Sequence, residues 1–295
     1  MALEIRPGPS LASRTTLKLG GSSLAEVVLT TPEDAEGLSG ALEKLGGQPL
    51  ILGGGSNILA RDGDLPLVLV RPQLRAEPAI LRERPAGKIR VRVGAGVKLQ
   101  RLVAWLATQG LSGLAGLVGV PGMVGGAVAG NAGSYGDETG RRLARVRFWT
   151  PGRGLVWVGR EDLDIGYRRL TLRGEAGLFL VVEAEFDCEV DEPIAIRQEM
   201  IANLKKKRAS QPITAATAGC VFKNPPGKAA WKLLAEAGFA GKRLGNMEFS
   251  GLHANFLVNL GGGTSDEALT LVESAQGAVR ELCGHELELE VKVVP

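Results

Sequence analysis

At 295 residues and 44% hydrophobic content the chain is long enough for two or three domains with substantial cores, while 35 basic against 32 acidic residues leave a net charge of only +3. That near balance, with 4% aromatic residues, excludes a charge-driven or base-stacking nucleic-acid surface, and no run of about 18 apolar residues offers a membrane span. Prolines and charges in residues 1–13 stand where a secretory leader needs an apolar core, and three scattered cysteines with two histidines give neither a disulfide framework nor a metal cluster, so a cytoplasmic, metal-free protein with reduced thiols is expected.

Residues 25–30, AEVVLT, read as a strand, and Thr31-Pro32-Glu33-Asp34 reads as a helix start, with a capping threonine, proline in the first turn and two acids beside it. The helix is expected to run to about Lys44. A short buried strand over 49–52 ends in Gly53-Gly54-Gly55-Ser56-Asn57, and 65–70 is a further strand. This makes a β-α-β unit with a glycine-rich loop at a strand end, the place where open α/β sheets hold ligands. The loop lacks the G-x-G-x-x-G spacing and the lysine of a phosphate-binding loop, and glycine with asparagine is also common in plain turns, so by itself it leaves both readings open.

From about residue 73 arginine and proline become frequent, and a domain boundary is placed there. Residues 88–93 alternate Ile89, Val91 and Val93 with Lys88, Arg90 and Arg92, the period of a half-buried strand. Leu99, Leu102, Val103 and Leu106 fall at helical spacing, with Gly110 as the cap. Then comes the stretch that dominates the chain: over residues 113–136, GLAGLVGVPGMVGGAVAGNAGSYG, nine of twenty-four residues are glycine. Glycine lets main chain approach a ligand closely, and successive amides in turns form anion-holding concavities. A flexible linker would be polar and serine-rich, which this stretch is not.

Strands are expected at 144–150, 155–159 and 179–186, with Asp164-Ile165-Gly166-Tyr167-Arg168-Arg169 between the last two and a polar passage over 187–193 closing the unit. A helix from about 194 ends in Lys205-Lys206-Lys207-Arg208, either a solvated terminus favoured by the helix dipole or a receptor for a diphosphate. Ala218-Gly219-Cys220-Val221-Phe222-Lys223-Asn224-Pro225 reads as a turn exposing polar groups, although an isolated cysteine is most often a small buried hydrophobe. A helix over 228–237 and the string Gly251-Leu252-His253-Ala254-Asn255-Phe256 follow, with His253 expected to be structural and hydrogen-bonded. Residues 264–283 form an amphipathic helix. The last strand, 286–292, places Glu286, Glu288 and Glu290 on one face and Leu287, Leu289 and Val291 on the other.

Four of these strings together resemble the UDP-N-acetylenolpyruvoylglucosamine reductase family: the GGGSN loop, GVPGMVGGA with NAGSYG, AGCVFKNP, and HANF. The resemblance runs from Arg14 to Lys292 and fits the compact form of the family, because the stretch between Arg168 and Cys220 is short. It implies an α+β fold of three domains, 1–72 and 73–193 forming a vanillyl-alcohol-oxidase-type FAD-binding fold and 194–295 binding substrate. It implies FAD as cofactor, held by Gly53, Gly54, Gly55, Ser56, Asn57, Gly119, Pro121, Gly122, Gly125, Gly126, Asn131, Ala132 and Gly133. It implies NADPH as hydride donor and a monomeric enzyme that reduces the enolpyruvyl ether of UDP-N-acetylglucosamine to the lactyl ether for peptidoglycan. Arg168, Cys220 and Glu290 then become the catalytic residues, with Glu288 as competitor to Glu290, and Tyr167, Lys207, Arg208, Lys223 and Asn224 the substrate contacts. The family places a lysine directly before Gln-Pro, where this chain has Ser210, which leaves Lys207 and Arg208 as alternatives for the diphosphate. A different flavin oxidoreductase would share the glycine-rich stretch but has no reason to carry AGCVFKNP.

Overall fold

A computed structural model describes residues 3–81, 87–175 and 177–295. The chain forms two compact units that alternate along the sequence: the larger takes Met1–Arg6, Glu26–Gly53 and Val68–Lys206, and the smaller takes Pro7–Ala25, Gly54–Leu67 and Lys207–Pro295. This differs from a division at 72 and 193. Residues 7–25 and 54–67 fall with the C-terminal segment because Ile58–Ala60 pairs in parallel with the final strand Lys292–Val294, a long-range pairing with no local signal. Of the arginine- and proline-rich passage after residue 73, residues 82–86 lie outside the described residues.

In the larger unit, Glu4–Pro7, Ala25–Leu29, Leu67–Pro72 and Gln48–Ile51 form one sheet in that order. The expected helix after Thr31 begins as a 3-10 turn, Pro32–Gly37, and becomes α-helical only over Leu38–Leu45. Its start is fixed by the Asp34 carboxylate, which accepts from the backbone of Thr30 at 2.7 Å and Thr31 at 2.9 Å. A second, antiparallel sheet has the order Gly154–Gly159, Leu143–Thr150, Leu180–Val190, Lys88–Gly94, Ala79–Ile80. Its apolar face, with Val91, Val93, Val146 and Phe148, packs on the helices Leu99–Thr108 and Val124–Ala129. On the other side of the pleat, paired charges run between strands: Arg90 with Asp187 at 2.7 Å, and Arg92 and Arg145 with the fully buried Glu185 at 2.7 and 2.6 Å. These pairings explain why the strand continues to Val190 instead of ending before a polar passage at 187. The two carboxylates within the extended strand are both neutralised, Asp187 by Arg90 on the neighbouring strand and Glu189 by Arg142 at 2.5 Å.

The smaller unit has a four-stranded antiparallel sheet, Ala216–Cys220, Phe256–Asn259, Met247–Phe249 and Arg243–Leu244, with helices Ala230–Glu236 and Ser265–Cys283. Phe222, Phe239, Phe249 and Leu271 sit in its core. The long helix keeps the start written in its sequence: Thr264 Oγ1 accepts from Glu267 N at 3.2 Å and Glu267 Oε2 accepts from Thr264 N at 3.1 Å, and Gly284 closes the helix in the left-handed region at φ 67°. The expected strand over 286–292 is corrected. Only Lys292–Val294 forms a ladder, and the preceding residues make a single bridge, Leu289 with Phe222. The partner segment turns away at Asn224-Pro225, so the alternation persists as burial, Leu287 and Val291 inside and Glu288 outside, without a continuous strand.

Candidate active site

In the larger unit the glycine-rich stretch folds as two turns and a short helix. Gly119 and Gly122 adopt φ values of 76° and 113°, which side chains rarely permit, and exposed Pro121 lies between them. Val124–Ala129 is then anchored by Val124 N to Val97 O and Gly125 N to Ala95 O, each at 2.9 Å. The neighbouring glycines differ in what surrounds them. A Cβ on Gly125 would stand 2.8 Å from the Ala95 Cβ, so this glycine permits close packing, whereas a Cβ on exposed Gly126 would meet nothing within 4 Å. A Cβ on Gly53 would stand 3.5 Å from the Met123 side chain, so the end of the first glycine loop meets the second with bare backbone. Main chain without side chains, in turns beside an open helix start, fits the phosphates of a dinucleotide such as FAD.

The stretch continues into a buried knot. Ala132 is fixed by its backbone, donating to Ala127 O at 2.7 Å and accepting from Thr139 N at 3.0 Å. Asn131, 2% exposed and at φ 40°, accepts at Oδ1 from Gly140 N at 2.9 Å and donates from Nδ2 to Gly166 O at 2.9 Å. Its side chain, expected beside the cofactor, is engaged within the protein. Gly166 ends the hairpin of Leu163–Gly166 with Arg169–Leu172, whose turn is Tyr167-Arg168. Arg168 adopts φ 57°, its guanidinium carbon 5.1 Å from the Tyr167 ring, and Tyr167 is exposed. A Cβ on Gly133 would lie 3.0 Å from Arg168 Nη1, so the arginine head rests on glycine backbone.

The smaller unit holds the remaining candidates. Gly55, at φ 63°, cannot be replaced without collision: a Cβ would stand 2.1 Å from Arg14 O. Gly54 and Ser56 are half-buried, and Asn57 donates from Nδ2 to Glu290 O at 3.1 Å while its own carbonyl accepts from Lys292 N at 3.1 Å. The glycine loop thereby pins the segment carrying Glu290. That segment lies against Cys220-Val221-Phe222-Lys223 through Glu290 N to Val221 O and Lys223 N to Glu288 O, each 2.8 Å. Cys220 therefore ends a strand, not an open turn, with a bulge after Thr217 and Gly219 at φ 82°, and it is half-buried. The two glutamates separate: Glu288, with a 77% exposed side chain, binds Lys223 Nζ at 3.0 Å, whereas Glu290 is half-buried. Asn224 Oδ1 accepts from Ala230 N at 2.9 Å at the start of the helix Ala230–Glu236.

On the helix Pro193–Ser210, Lys205, Lys206 and Arg208 are exposed and Lys207 is buried. Burial pulls the Lys207 ammonium down to about 8. Sequence reasoning gave no prominence to Asn255, which clamps the cysteine segment by accepting from Phe222 N at 2.9 Å and donating to Phe222 O at 2.8 Å. Its place in the HANF string was the available signal. The expected hydrogen-bonded His253 is corrected at one atom: its Nδ1 is buried and makes no hydrogen bond among the described residues. Its ring instead packs edge-on against Phe256 at 4.9 Å, and burial lowers its pKa, which keeps the imidazole neutral near pH 7.

Among the described residues no group of three or more His, Cys, Asp or Glu side chains could hold a metal, and no helix is long and apolar enough to cross a membrane. Residues 24–159 match the family model described as FAD binding domain, and residues 211–294 match that described as UDP-N-acetylenolpyruvoylglucosamine reductase, C-terminal domain. Over 293 residues the chain is 50% identical to the UDP-N-acetylenolpyruvoylglucosamine reductase of Nitratidesulfovibrio vulgaris, covering 99% of each chain. It is 40% identical to the enzyme of that name from Geobacter sulfurreducens, covering 98% of this chain and 94% of that one. The crystal structure of the corresponding reductase from Thermus caldophilus aligns over 100% of both chains with a TM-score of 0.82 at 32% identity. The expected α+β fold with a flavin-binding domain is thus the observed one, and FAD is the cofactor. With likeness at this level over the whole length, and glycine turns of the geometry a dinucleotide needs, the chain belongs to the UDP-N-acetylenolpyruvoylglucosamine reductase family of flavin-dependent oxidoreductases.

Proposed function

We propose that this enzyme uses NADPH to reduce UDP-N-acetylenolpyruvoylglucosamine to UDP-N-acetylmuramate, as a cytoplasmic monomer, with Arg168, Cys220 and Glu290 as its catalytic residues. The observation that carries the assignment in the smaller unit is the hydrogen bond from Glu290 N to Val221 O at 2.8 Å, which sets Glu290 beside the Cys220 segment. Bound FAD supplies a two-electron carrier between the nicotinamide and the enolpyruvyl group, and Gly53 to Asn57, Gly119 to Gly126 and the backbone at Ala132 and Gly133 are the groups that would hold it.

Hydride added to the β-carbon of the enolpyruvyl double bond leaves the electron pair on the α-carbon and its carboxylate. Such charge needs a fixed cation and a proton donor at hand. Arg168 supplies the permanent cation and two parallel donors for a carboxylate. Cys220 Sγ, a thiol in its protonated form, carries the proton that completes the α-carbon. Glu290 is favoured over Glu288 because the Glu288 carboxylate is exposed and held by Lys223 at 3.0 Å. Tyr167, Lys223 and either Lys207 or Arg208 hold the substrate, and Asn224 supports them by fixing the start of the Ala230–Glu236 helix.

An anaerobic visible spectrum tests the reading. A flavin band that bleaches with NADPH and returns on addition of UDP-N-acetylenolpyruvoylglucosamine is the expected result. Return only with a different acceptor overturns the substrate assignment, and bleaching with NADH but not NADPH overturns the donor.

A further inference from the structure

We infer that Asn131 is a positioning residue for Arg168, fixing the Tyr167-Arg168 turn through the carbonyl of Gly166, and that its side chain takes no part in holding the flavin. The inference rests on the proposed reading that Arg168 meets the substrate carboxylate. Asn131 is 2% exposed, and its amide is engaged at both ends. Oδ1 accepts from Gly140 N at 2.9 Å, and Nδ2 donates to Gly166 O at 2.9 Å and Glu138 Oε2 at 3.4 Å, while the Thr139 hydroxyl, 3.4 Å from Oδ1, has its shorter bond to Ala127 O at 3.1 Å. The partners fix which end is which, since the Gly140 N–H can only donate and the Gly166 carbonyl can only accept. Both amide donors and the oxygen are thus engaged by protein groups in a side chain that is almost wholly buried, which turns it away from a cofactor.

The group it holds is the one that needs holding. Gly166 pairs with Arg169 across a turn whose second residue, Arg168, has φ 57°, a conformation that a long side chain keeps only when its surroundings enforce it. Two residues beyond Asn131, the bare backbone of Gly133 lies under the arginine: a Cβ there would be 3.0 Å from Arg168 Nη1 and 2.9 Å from Glu138 Cγ. Residues 131–133 therefore support both the backbone of the turn and the head of its arginine. A cation displaced by about 1 Å no longer meets developing charge in the right place, and such misplacement can cost about 100-fold in rate.

The test compares Asn131→Asp, Asn131→Ser, Arg168→Ala and the double variant Asn131→Asp/Arg168→Ala by anaerobic stopped flow, with FAD titrated into each apoprotein. Aspartate keeps the acceptor for Gly140 N but turns an oxygen toward the Gly166 carbonyl. Expected is an unchanged FAD dissociation constant and rate of flavin reduction by NADPH for Asn131→Asp, with flavin reoxidation by UDP-N-acetylenolpyruvoylglucosamine slowed about 10- to 100-fold. Adding the change to Arg168→Ala should slow reoxidation no further, because both act through one group. Asn131→Ser, which removes the bond to the Gly166 carbonyl without adding a charge, should slow the same half-reaction, and it decides the matter if the aspartate variant fails to fold. Weakened FAD binding with normal reoxidation, or losses that multiply in the double variant, would overturn the inference. An Arg168→Ala enzyme that reoxidises normally would instead overturn the reading beneath it.

Discussion

Cys220 and Lys207 carry the sharpest expectations for single side chains. A proton donor at Cys220 tolerates exchange for a hydroxyl and not for a methyl group, so Cys220→Ser should retain turnover within about tenfold while Cys220→Ala should still be bleached by NADPH and fail to complete the cycle. Single-turnover spectra separate these outcomes, and normal turnover of the alanine variant removes the cysteine from the mechanism. Lys207 is only 3% exposed, and its folded pKa of about 8 lies below the ordinary 10.5. The folded state therefore binds fewer protons than the unfolded chain between those values, so stability from this group rises with pH across that window and is lost as pH falls through about 8. The full difference is about 3 kcal/mol. Urea unfolding at several pH values from 7 to 10 should show this rise in the parent and not in Lys207→Met, and equal slopes would show that the ammonium is not desolvated. A diphosphate bound at Lys207 should also draw up a proton near pH 8 to 9, whereas one bound at Arg208, always charged, should not.

The helices separate what was legible from what was not. Thr264, Glu267 and Gly284 announce the ends of Ser265–Cys283 in sequence because capping is a local transaction among neighbours, and Thr264→Ala should lower stability by about 1 kcal/mol. The Tyr167-Arg168 pair was visible as a motif, yet its support by Asn131 was not, since that contact spans 35 positions and asparagine beside glycine also looks like any ligand loop. The same limit hid the distinct surroundings of Gly125 and Gly126, identical letters in sequence. They should part in experiment. Gly125→Ala presses a methyl into Ala95 and should cost about 1–3 kcal/mol in apoprotein stability. Gly126→Ala enters open space and should leave the apoprotein as stable or up to about 1 kcal/mol more so, through helix propensity. On the proposed placement of the flavin, its cost should fall on flavin affinity, because the methyl would then stand on the cofactor's side of the helix. Calorimetric melting of apoproteins alongside FAD titration checks the pair, and unaltered FAD affinity in Gly126→Ala would remove that glycine from the cofactor site.

At the scale of the molecule, the order of segments along the chain does not follow the order of folding units. Alternation and capping gave most elements their type, but nothing local in Ile58-Leu59-Ala60 reveals that its partner is Lys292–Val294, and a division at 72 and 193 therefore separated residues 54–67 from the C-terminal segment they fold with. Within the smaller unit the stakes of that pairing are substantial. Leu17, Leu19 and Leu59 belong to one buried cluster with Phe222, Leu271 and Val291, Thr16 Oγ1 donates to Thr217 O at 2.6 Å, and Asp62 and Ser265 exchange hydrogen bonds of 3.0 and 2.7 Å. None of these partners exists in a fragment that stops at residue 206. Each of the three leucines left without its cluster forfeits about 1.5–3 kcal/mol of burial, more than so short a segment recovers by itself. In such a fragment, hydrogen exchange should show residues 7–25 and 54–67 unprotected, while Leu143–Thr150 and Leu180–Val190, whose ladder lies wholly in the larger unit, stay protected. Removal of residues 292–295 alone should act in the same direction but less completely, loosening Ile58–Ala60 and the Asn57 loop that depends on Lys292 N. Protection of residues 7–25 in the 1–206 fragment equal to that in the full chain would mean that the segment folds on the larger unit's account, and the two-unit division would have to be redrawn.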